Sequence, residues 1–198
     1  MLSEKPKLIL ASQSPRRQSL LRQFDIPFEI IVADIDETPF RDEQPDQMTL
    51  RLAREKALAV FKKVGADYRV LGGDTTVTIK GTILGKPRNR QHAIEMLKRL
   101  SGNTHLVHSA VALVNQGICQ TRLCSTAVTF FELTDNQITS YCNSQDPYDK
   151  AGAYGVQGHA GQFVKQLEGS YSGVMGLPLW ETHQLLHQFQ SNITEDLN

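Results

Sequence analysis

Residues 7–17 have the sequence KLILASQSPRR, and this stretch decides the expected architecture. Its first five residues form an apolar run of strand length, and apolar residues at helical spacing follow the second serine. Ser14 has the side chain of a helix N-cap, and Pro15 suits the first helical position because an amide hydrogen there would have no intrahelical partner. The stretch therefore predicts a strand, a short loop and a helix.

The loop of this unit carries groups that suit a phosphate. Backbone N–H groups and the positive end of the helix dipole attract anions. Arg16 and Arg17 add guanidinium groups, which can bind phosphate oxygens through two parallel hydrogen bonds. The alternative is a well-capped surface helix with solvated arginines.

Hydrophobic spacing predicts further elements along the chain. Helices are expected at residues 46–64, 89–102, 134–141 and 179–189. Strands are expected at residues 28–33, 68–73, 75–80, 82–85, 104–114 and 118–131. The last two strands flank Asn115-Gln116-Gly117 as an antiparallel hairpin would, so the sheet must be at least partly antiparallel.

Carboxylates follow two of the predicted strands. Asp34, Asp36 and Glu37 come after the second strand, and Asp74 follows the third through a Gly-Gly step that leaves room for a substrate or metal beside the backbone. Hard cations such as Mg²⁺ bind one or two carboxylates together with waters and substrate phosphates. A carboxylate beside such a cation can also orient or deprotonate water. The alternatives are an acidic surface loop and a turn-forming aspartate.

Two lysines and a glycine-rich segment complete the candidates. Lys56 lies beside the apolar stripe of its helix and Lys86 follows the short strand, so either could place a positive charge on a polyphosphate. Residues 149–158 combine glycines with Gln157, which suits close approach of a flat base whose edge an amide could bind. Solvated lysines and a flexible glycine loop are the alternatives.

Composition limits the class of protein. The chain has 198 residues, with 21 Lys and Arg against 21 Asp and Glu and a net charge of zero, which argues against a nonspecific nucleic-acid binder. We expect a single domain over residues 1–198, structured from about 7 to 190, with a polar tail from Asn192. Residues 1–6 lack the apolar stretch of a signal peptide, and no run reaches the length of a membrane span, so we expect a cytoplasmic protein. Three cysteines fit reduced thiols.

Taken together and in order, eight segments resemble the Maf family of nucleoside triphosphate pyrophosphatases. They are ASQSPRR at 11–17, DE at 36–37, RLAREKA at 51–57, GGDT at 72–75, GKP at 85–87, DKAGAYG at 149–155, QG at 157–158 and GLPL at 176–179. The similarity extends from about Lys7 to Trp180 or beyond. Arg16, Thr75 and Gln157 resemble the branch that acts on dTTP and UTP, whereas Gly73 stands where that branch usually has alanine.

The resemblance implies an α/β fold with a mixed, twisted sheet, flanking helices and a deep cleft between two lobes, similar to inosine triphosphate pyrophosphatases. It also implies a homodimer. The implied reaction is hydrolysis of pyrimidine nucleoside triphosphates at the α-phosphorus, giving the monophosphate and pyrophosphate with a divalent cation, Mg²⁺ or Mn²⁺. Such an enzyme would take part in surveillance of the nucleotide pool.

The resemblance also assigns roles to single residues. Asp74 would be the general base, and Glu37 would hold the metal together with Asp74. The triphosphate would be bound by Ser12, Arg17, Lys56 and Lys86. Selection of the base would fall to Arg16, Thr75 and Gln157.

Other functions remain open at this point. One is a nucleotide-binding regulatory protein, because the family's name comes from an association with septum formation in cell division. Another is a pyrophosphatase of broader range that acts on modified nucleotides. A nucleic-acid-binding module has only Arg16, Arg17 and Arg51 in its favour, without a basic and aromatic stripe.

Overall fold

The structure is a computed structural model that describes residues 7–195. Within that range the strands β1 to β7 are Lys7–Leu10, Phe28–Ile30, Tyr68–Ile79, Thr82–Leu84, Thr104–Asn115, Ile118–Phe130 and Val164–Glu168. The helices α1 to α6 are Pro15–Leu21, Pro45–Val64, Arg90–Leu100, Asp135–Tyr141, Tyr171–Met175 and Leu179–Glu195. Short 3₁₀ turns lie at Arg22–Phe24, Ala151–Ala153 and His159–Phe163.

The strands form one mixed sheet in the order β2-β1-β3-β5-β6-β7, and β4 pairs with β3. β1 is parallel to both β2 and β3, whereas β3 with β4 and β6 with β7 are antiparallel. The expected mixed α/β sheet with helices is therefore confirmed. β2 ends at Ile30, which pairs with Leu10 at the end of β1, so β2 is shorter than predicted.

The prediction that a strand ends at Asp74 is wrong. β3 is continuous from Tyr68 to Ile79, and Asp74 lies within it. The β-branched residues that follow, Thr75 to Val77, favour an extended backbone. A buried carboxylate is tolerated inside the strand because Lys56 pairs with it.

The described residues divide into two compact units. The first contains residues 7–74, Ser109–Leu123 and 176–195, and the second contains Thr75–His108 and Cys124–Met175. The expectation of a single domain over residues 1–198 stays a prediction.

The first unit is built on close packing of α2 against β3. Apolar residues on one face of α2, including Ala53, Ala57 and Val60, pack with Ile9 of β1 in a buried cluster. At Gly72 a Cβ atom would overlap the carbonyl oxygen of Ala53 and lie 2.8 Å from the amide nitrogen of Ala57. Glycine therefore lets the helix and strand backbones approach closely enough for the side chains of α2 and β3 to meet.

The second unit has its own core, in which a histidine lies among aromatic rings. His105 of β5 is 2% exposed and packs edge-on against Phe130 and Tyr154, with ring centroids 5.1 and 5.4 Å away. Its Nε2 forms a 2.8 Å hydrogen bond with the Tyr154 hydroxyl, and its Nδ1 has no hydrogen-bond partner among the residues the structure describes. Burial lowers the pKa of His105 from 6.5 to about 4.

This histidine should make the protein less stable in mild acid. Between pH 6.5 and pH 4 the unfolded chain binds a proton at His105 and the folded chain does not, so stability falls as the pH falls. We expect a loss of about 2 kcal/mol in the free energy of unfolding between pH 7 and pH 5, measured by urea titration. The loss should shrink in His105→Leu and persist in His183→Leu, which changes an exposed histidine. An unchanged pH dependence in His105→Leu would contradict the assignment.

The two ends of the chain differ in what the structure describes of them. α6 continues to Glu195, so residues 192–195 are helical rather than a frayed tail. The remaining tail residues are 196–198, and they lie outside the described residues. Residues 1–6, for which the sequence predicts no signal peptide, lie outside them as well.

None of the helices within residues 7–195 has the length and apolar character needed to cross a membrane. Cys119, Cys124 and Cys142 are free thiols, as predicted.

Candidate active site

The loop between β1 and α1 joins two of the predicted phosphate-binding residues. The hydroxyl of Ser12, which is buried, accepts hydrogen bonds from the Ser14 amide at 3.2 Å and from Arg17 Nη1 at 3.3 Å. Ser14 caps α1, with its hydroxyl 3.5 Å from the Arg17 amide, and Pro15 takes the first helical turn as predicted. The cap therefore orients the helix so that Arg17 returns to the strand end.

Arg17 is fixed from a second side as well. Its Nε donates a 2.7 Å hydrogen bond to the carbonyl oxygen of Gly176, in a segment distant in sequence. Burial lowers the pKa of Arg17, and attraction to Asp74 opposes that shift. Arginine keeps its charge under such shifts, so a fixed cation lies within electrostatic range of Asp74.

The centre of the site is a buried ammonium group that binds two carboxylates. Lys56 Nζ lies 2.7 Å from Asp74 Oδ1 and 2.7 Å from Glu37 Oε1. The side chains of Lys56 and Asp74 are 11% and 10% exposed, whereas that of Glu37 is 59% exposed. Three elements thus meet here, since α2 supplies Lys56, β3 supplies Asp74 and the β2–α2 loop supplies Glu37.

The glycine step before Asp74 works differently from the sequence-based expectation. Gly72 does not leave room for a ligand, because the backbone of α2 occupies that side. At Gly73 a Cβ atom would lie 3.3 Å from Arg17 Nε and 3.5 Å from the carbonyl oxygen of Ala110, so an alanine would be tightly packed there. The Gly-Gly step therefore brings Lys56 and Arg17 close to the strand that carries Asp74.

The residues at this centre fit a divalent cation. Two carboxylates within hydrogen-bond distance of one nitrogen lie close together, and carboxylate oxygens are the ligands that Mg²⁺ and Mn²⁺ prefer. No group of three His, Cys, Asp or Glu side chains in the described part of the chain could hold a metal. The protein would therefore supply Glu37 and Asp74, and waters and substrate phosphates would complete the coordination.

Lys86 and Gln157 belong to the second unit. Lys86 is exposed just after β4. Gln157 is exposed and lines a groove of about 750 Å³. The other lining residues are Ser144, Gln145, Asp146, Asp149, Lys150, Gly158 and His159. Where Lys86 and Gln157 act relative to Asp74 stays a prediction.

Sequence reasoning missed a second buried lysine, which also lines that groove. Lys150 is 9% exposed, and its Nζ lies 2.9 Å from Asp146 Oδ1 and 2.6 Å from Asp149 Oδ1. At Gly158 a Cβ atom would lie 2.6 Å from Asp146 Oδ2, so the loop after Gln157 packs tightly on this ion-pair network. The only sign of this network in the sequence is the DKAGAYG segment, in which Lys150 directly follows Asp149, one of its two ion-pair partners.

Arg16 and Thr75 are half-buried. Arg16 is the second residue of α1. Thr75 follows Asp74 in β3, and because side chains alternate along a strand it faces the opposite side from Asp74. Their role in selecting a base stays a prediction.

Known proteins similar to this chain share most of its length. It is 50% identical to the dTTP/UTP pyrophosphatase of Escherichia coli strain K12 over 184 residues. That aligned stretch covers 93% of this chain and 93% of the relative. Identity and coverage are the same for the dTTP/UTP pyrophosphatase of Salmonella typhimurium strain LT2. Among solved structures, the Ham1 protein of Staphylococcus aureus matches with a TM-score of 0.46 and 14% identity over 94% of this chain and 98% of that one.

The family assignment rests on coverage as well as identity. The family model described as Maf-like protein matches residues 7–189, a range that contains every predicted site residue. Relatives at 50% identity over 93% of both chains support the same assignment. This chain belongs to the Maf family.

Proposed function

We propose that this protein hydrolyses dTTP and UTP to the nucleoside monophosphate and pyrophosphate, and so takes part in surveillance of the nucleotide pool. The observation that carries the reaction is the Lys56 ammonium group bound to Glu37 and Asp74, with Arg17 within electrostatic range. The substrate class is supported by relatives at 50% identity that are named dTTP/UTP pyrophosphatases.

In this mechanism Asp74 accepts the proton of the water that attacks the α-phosphorus. Arg17 and Lys56 attract the negative charge that develops on the leaving pyrophosphate, and the Ser12 hydroxyl donates a hydrogen bond to a phosphate oxygen. Lys86 would add a further positive charge. A divalent cation held by Glu37 and Asp74 would neutralise phosphate charge and lower the pKa of bound water.

Selection of the base is assigned to Arg16, Thr75 and Gln157. The uracil and thymine rings present carbonyl oxygens on either side of an N–H group. A primary amide can donate to one of the carbonyl oxygens and accept from the N–H group between them, so Gln157 suits that edge. Its position among the residues that line a groove supports this assignment.

Changing Gln157 to Glu should therefore alter substrate ranking. A carboxylate can no longer donate to a carbonyl oxygen, and an unmade hydrogen bond costs about 1–3 kcal/mol. We expect kcat/KM for dTTP and UTP to fall about tenfold or more relative to CTP. Gln145→Glu, which adds the same charge to the same groove, is the matched control and should keep the original ranking. An unchanged ranking in Gln157→Glu would count against its role.

The function itself is tested by pyrophosphate release. Purified protein is assayed with dTTP, UTP, CTP, 7-methyl-GTP, ITP and the common purine triphosphates, with Mg²⁺, Mn²⁺ or EDTA. We expect metal-dependent release that is greatest with dTTP and UTP. Preference for another nucleotide would overturn the specificity assignment, and nucleotide binding without release would favour a regulatory protein.

The proposal also includes a homodimer in the cytoplasm and no binding to nucleic acid. The homodimer comes from the family resemblance, the cytoplasmic location from the sequence, and the lack of nucleic-acid binding from the balance of 21 basic and 21 acidic residues. Light scattering on the purified protein measures the oligomeric state. A DNA-binding titration over salt concentration should give no steep dependence.

A further inference from the structure

The loop that supplies Glu37 has little regular structure of its own. Residues 31–44 form neither helix nor strand, and most of them are exposed. An irregular exposed loop loses considerable backbone entropy when it is held in one conformation, about 1–2 kcal/mol per residue. A carboxylate on such a loop can serve a binding site only if other contacts hold the loop in place.

Those contacts converge on Arg51 of α2. Its Nε and Nη2 donate to the two carboxylate oxygens of Glu43 at 2.6 and 2.8 Å, which is a two-point ion pair. Nη2 also donates to the carbonyl oxygen of Thr38 at 3.2 Å, and the guanidinium carbon lies 3.9 Å from the centre of the Phe40 ring. Nη1 pairs with Glu55 at 3.1 Å, which orients the arginine along its own helix.

The loop is also bonded to itself at the points that Arg51 contacts. The Phe40 amide donates to Glu43 Oε2 at 3.0 Å, and the Thr38 amide donates to Asp36 Oδ1 at 2.9 Å. Asp36 and Thr38, which flank Glu37, are therefore held by the hydrogen bond between them. Thr38 is also held by Arg51. The side chains of Arg51 and Glu43 are 15% and 9% exposed, so this ion pair is well shielded from water.

We propose that Arg51 is a positioning residue that holds the residue 36–43 loop so that Glu37 faces Lys56 and Asp74. Arg51 and Lys56 lie on the same helix, so one rigid element fixes the loop and binds the Glu37 carboxylate. Arg51 itself is occupied by loop groups and touches no substrate in this role. The inference rests on the proposed function, because it assigns Glu37 to the divalent cation.

Binding of Mn²⁺ measured by electron paramagnetic resonance tests the inference without an activity assay. Loss of a residue that orients a metal ligand typically weakens metal affinity about 10–100-fold, and we expect Arg51→Met to fall in this range. Arg54→Met removes the same charge from an exposed position on the same helix and should leave the affinity unchanged. Arg51→Lys should recover only part of the loss, because lysine lacks the planar fork that reaches both Glu43 and Thr38.

A second set of variants separates this inference from the proposed function. If Arg51 acts through Glu37, then Arg51→Met should have no further effect on Mn²⁺ affinity in a Glu37→Gln background. Glu43→Gln removes the other half of the ion pair and should reproduce the effect of Arg51→Met in a protein that keeps the arginine. Loss of affinity in Glu37→Gln without loss in Arg51→Met and Glu43→Gln would overturn the inference alone. Unchanged affinity in Glu37→Gln would overturn the metal assignment and the inference with it.

Discussion

Replacing Asp74 with asparagine should lower the turnover number for dTTP about 10²–10⁴-fold, which is the range that a positioned general base contributes. Asparagine has nearly the same shape, and its side-chain oxygen can still accept the hydrogen bond from Lys56 Nζ. The loss should therefore come from the missing basic oxygen and not from a collapsed site. Pyrophosphate release at saturating dTTP and saturating Mn²⁺ measures it.

Saturating Mn²⁺ is needed because Asp74 is also assigned to the metal. If its main contribution were metal binding, then higher Mn²⁺ concentrations would restore the rate, whereas a missing base persists at any concentration. The matched control is Asp135→Asn, which changes an exposed aspartate that pairs with Lys98 at 2.8 Å and should leave turnover unchanged. Near-normal turnover in Asp74→Asn would remove Asp74 from the catalytic role.

Local chemistry made much of the fold predictable. Ser14 and Pro15 start α1, Asn89 caps α3 with a 2.9 Å bond, and Thr134 and Gln137 form the predicted capping box. Each of these features depends on residues within a few positions of one another. The long hairpin followed from two β-prone runs around a short turn for the same reason.

The boundaries that failed depend on tertiary contacts. Asp74 looks like a strand end because an aspartate is disfavoured inside a buried strand, yet Lys56 makes it stable there. Those two residues are 18 positions apart, and their pairing needs the close approach of α2 to β3 at Gly72. No local pattern shows which glycine faces a helix.

The candidate site was predictable as a set of residue types and not as a set of contacts. The family resemblance placed Glu37, Lys56 and Asp74 among the functional residues, but the role of Lys56 as a partner of both carboxylates appears only in three dimensions. Glu43 could not be distinguished from a solvated loop glutamate. Its partner Arg51 is eight residues away, across the start of a helix, where no fixed spacing applies.

Replacing Lys56 with methionine should destabilise the fold as well as abolish turnover. Removing one partner of a buried ion pair leaves the other charge buried and unpaired, at a typical cost of about 3–5 kcal/mol. We expect a value near the lower end, about 3 kcal/mol, because Arg17 still attracts Asp74 and because Glu37 can turn toward solvent. Urea unfolding at pH 7 measures the change, and Lys98→Met, which breaks an exposed pair, should cost at most about 1 kcal/mol.

The double variant Lys56→Met with Asp74→Asn separates the two consequences of this pair. If the instability of Lys56→Met comes from an uncompensated buried carboxylate, then neutralising Asp74 as well should recover most of the lost free energy of unfolding. The double variant should nevertheless remain inactive, because it lacks both the proposed base and a phosphate-binding cation. A double variant no more stable than Lys56→Met would instead assign the loss to packing of the lysine stem against α2 and β3. Recovery of stability without recovery of turnover would show that the buried charges at this site serve the reaction rather than the fold.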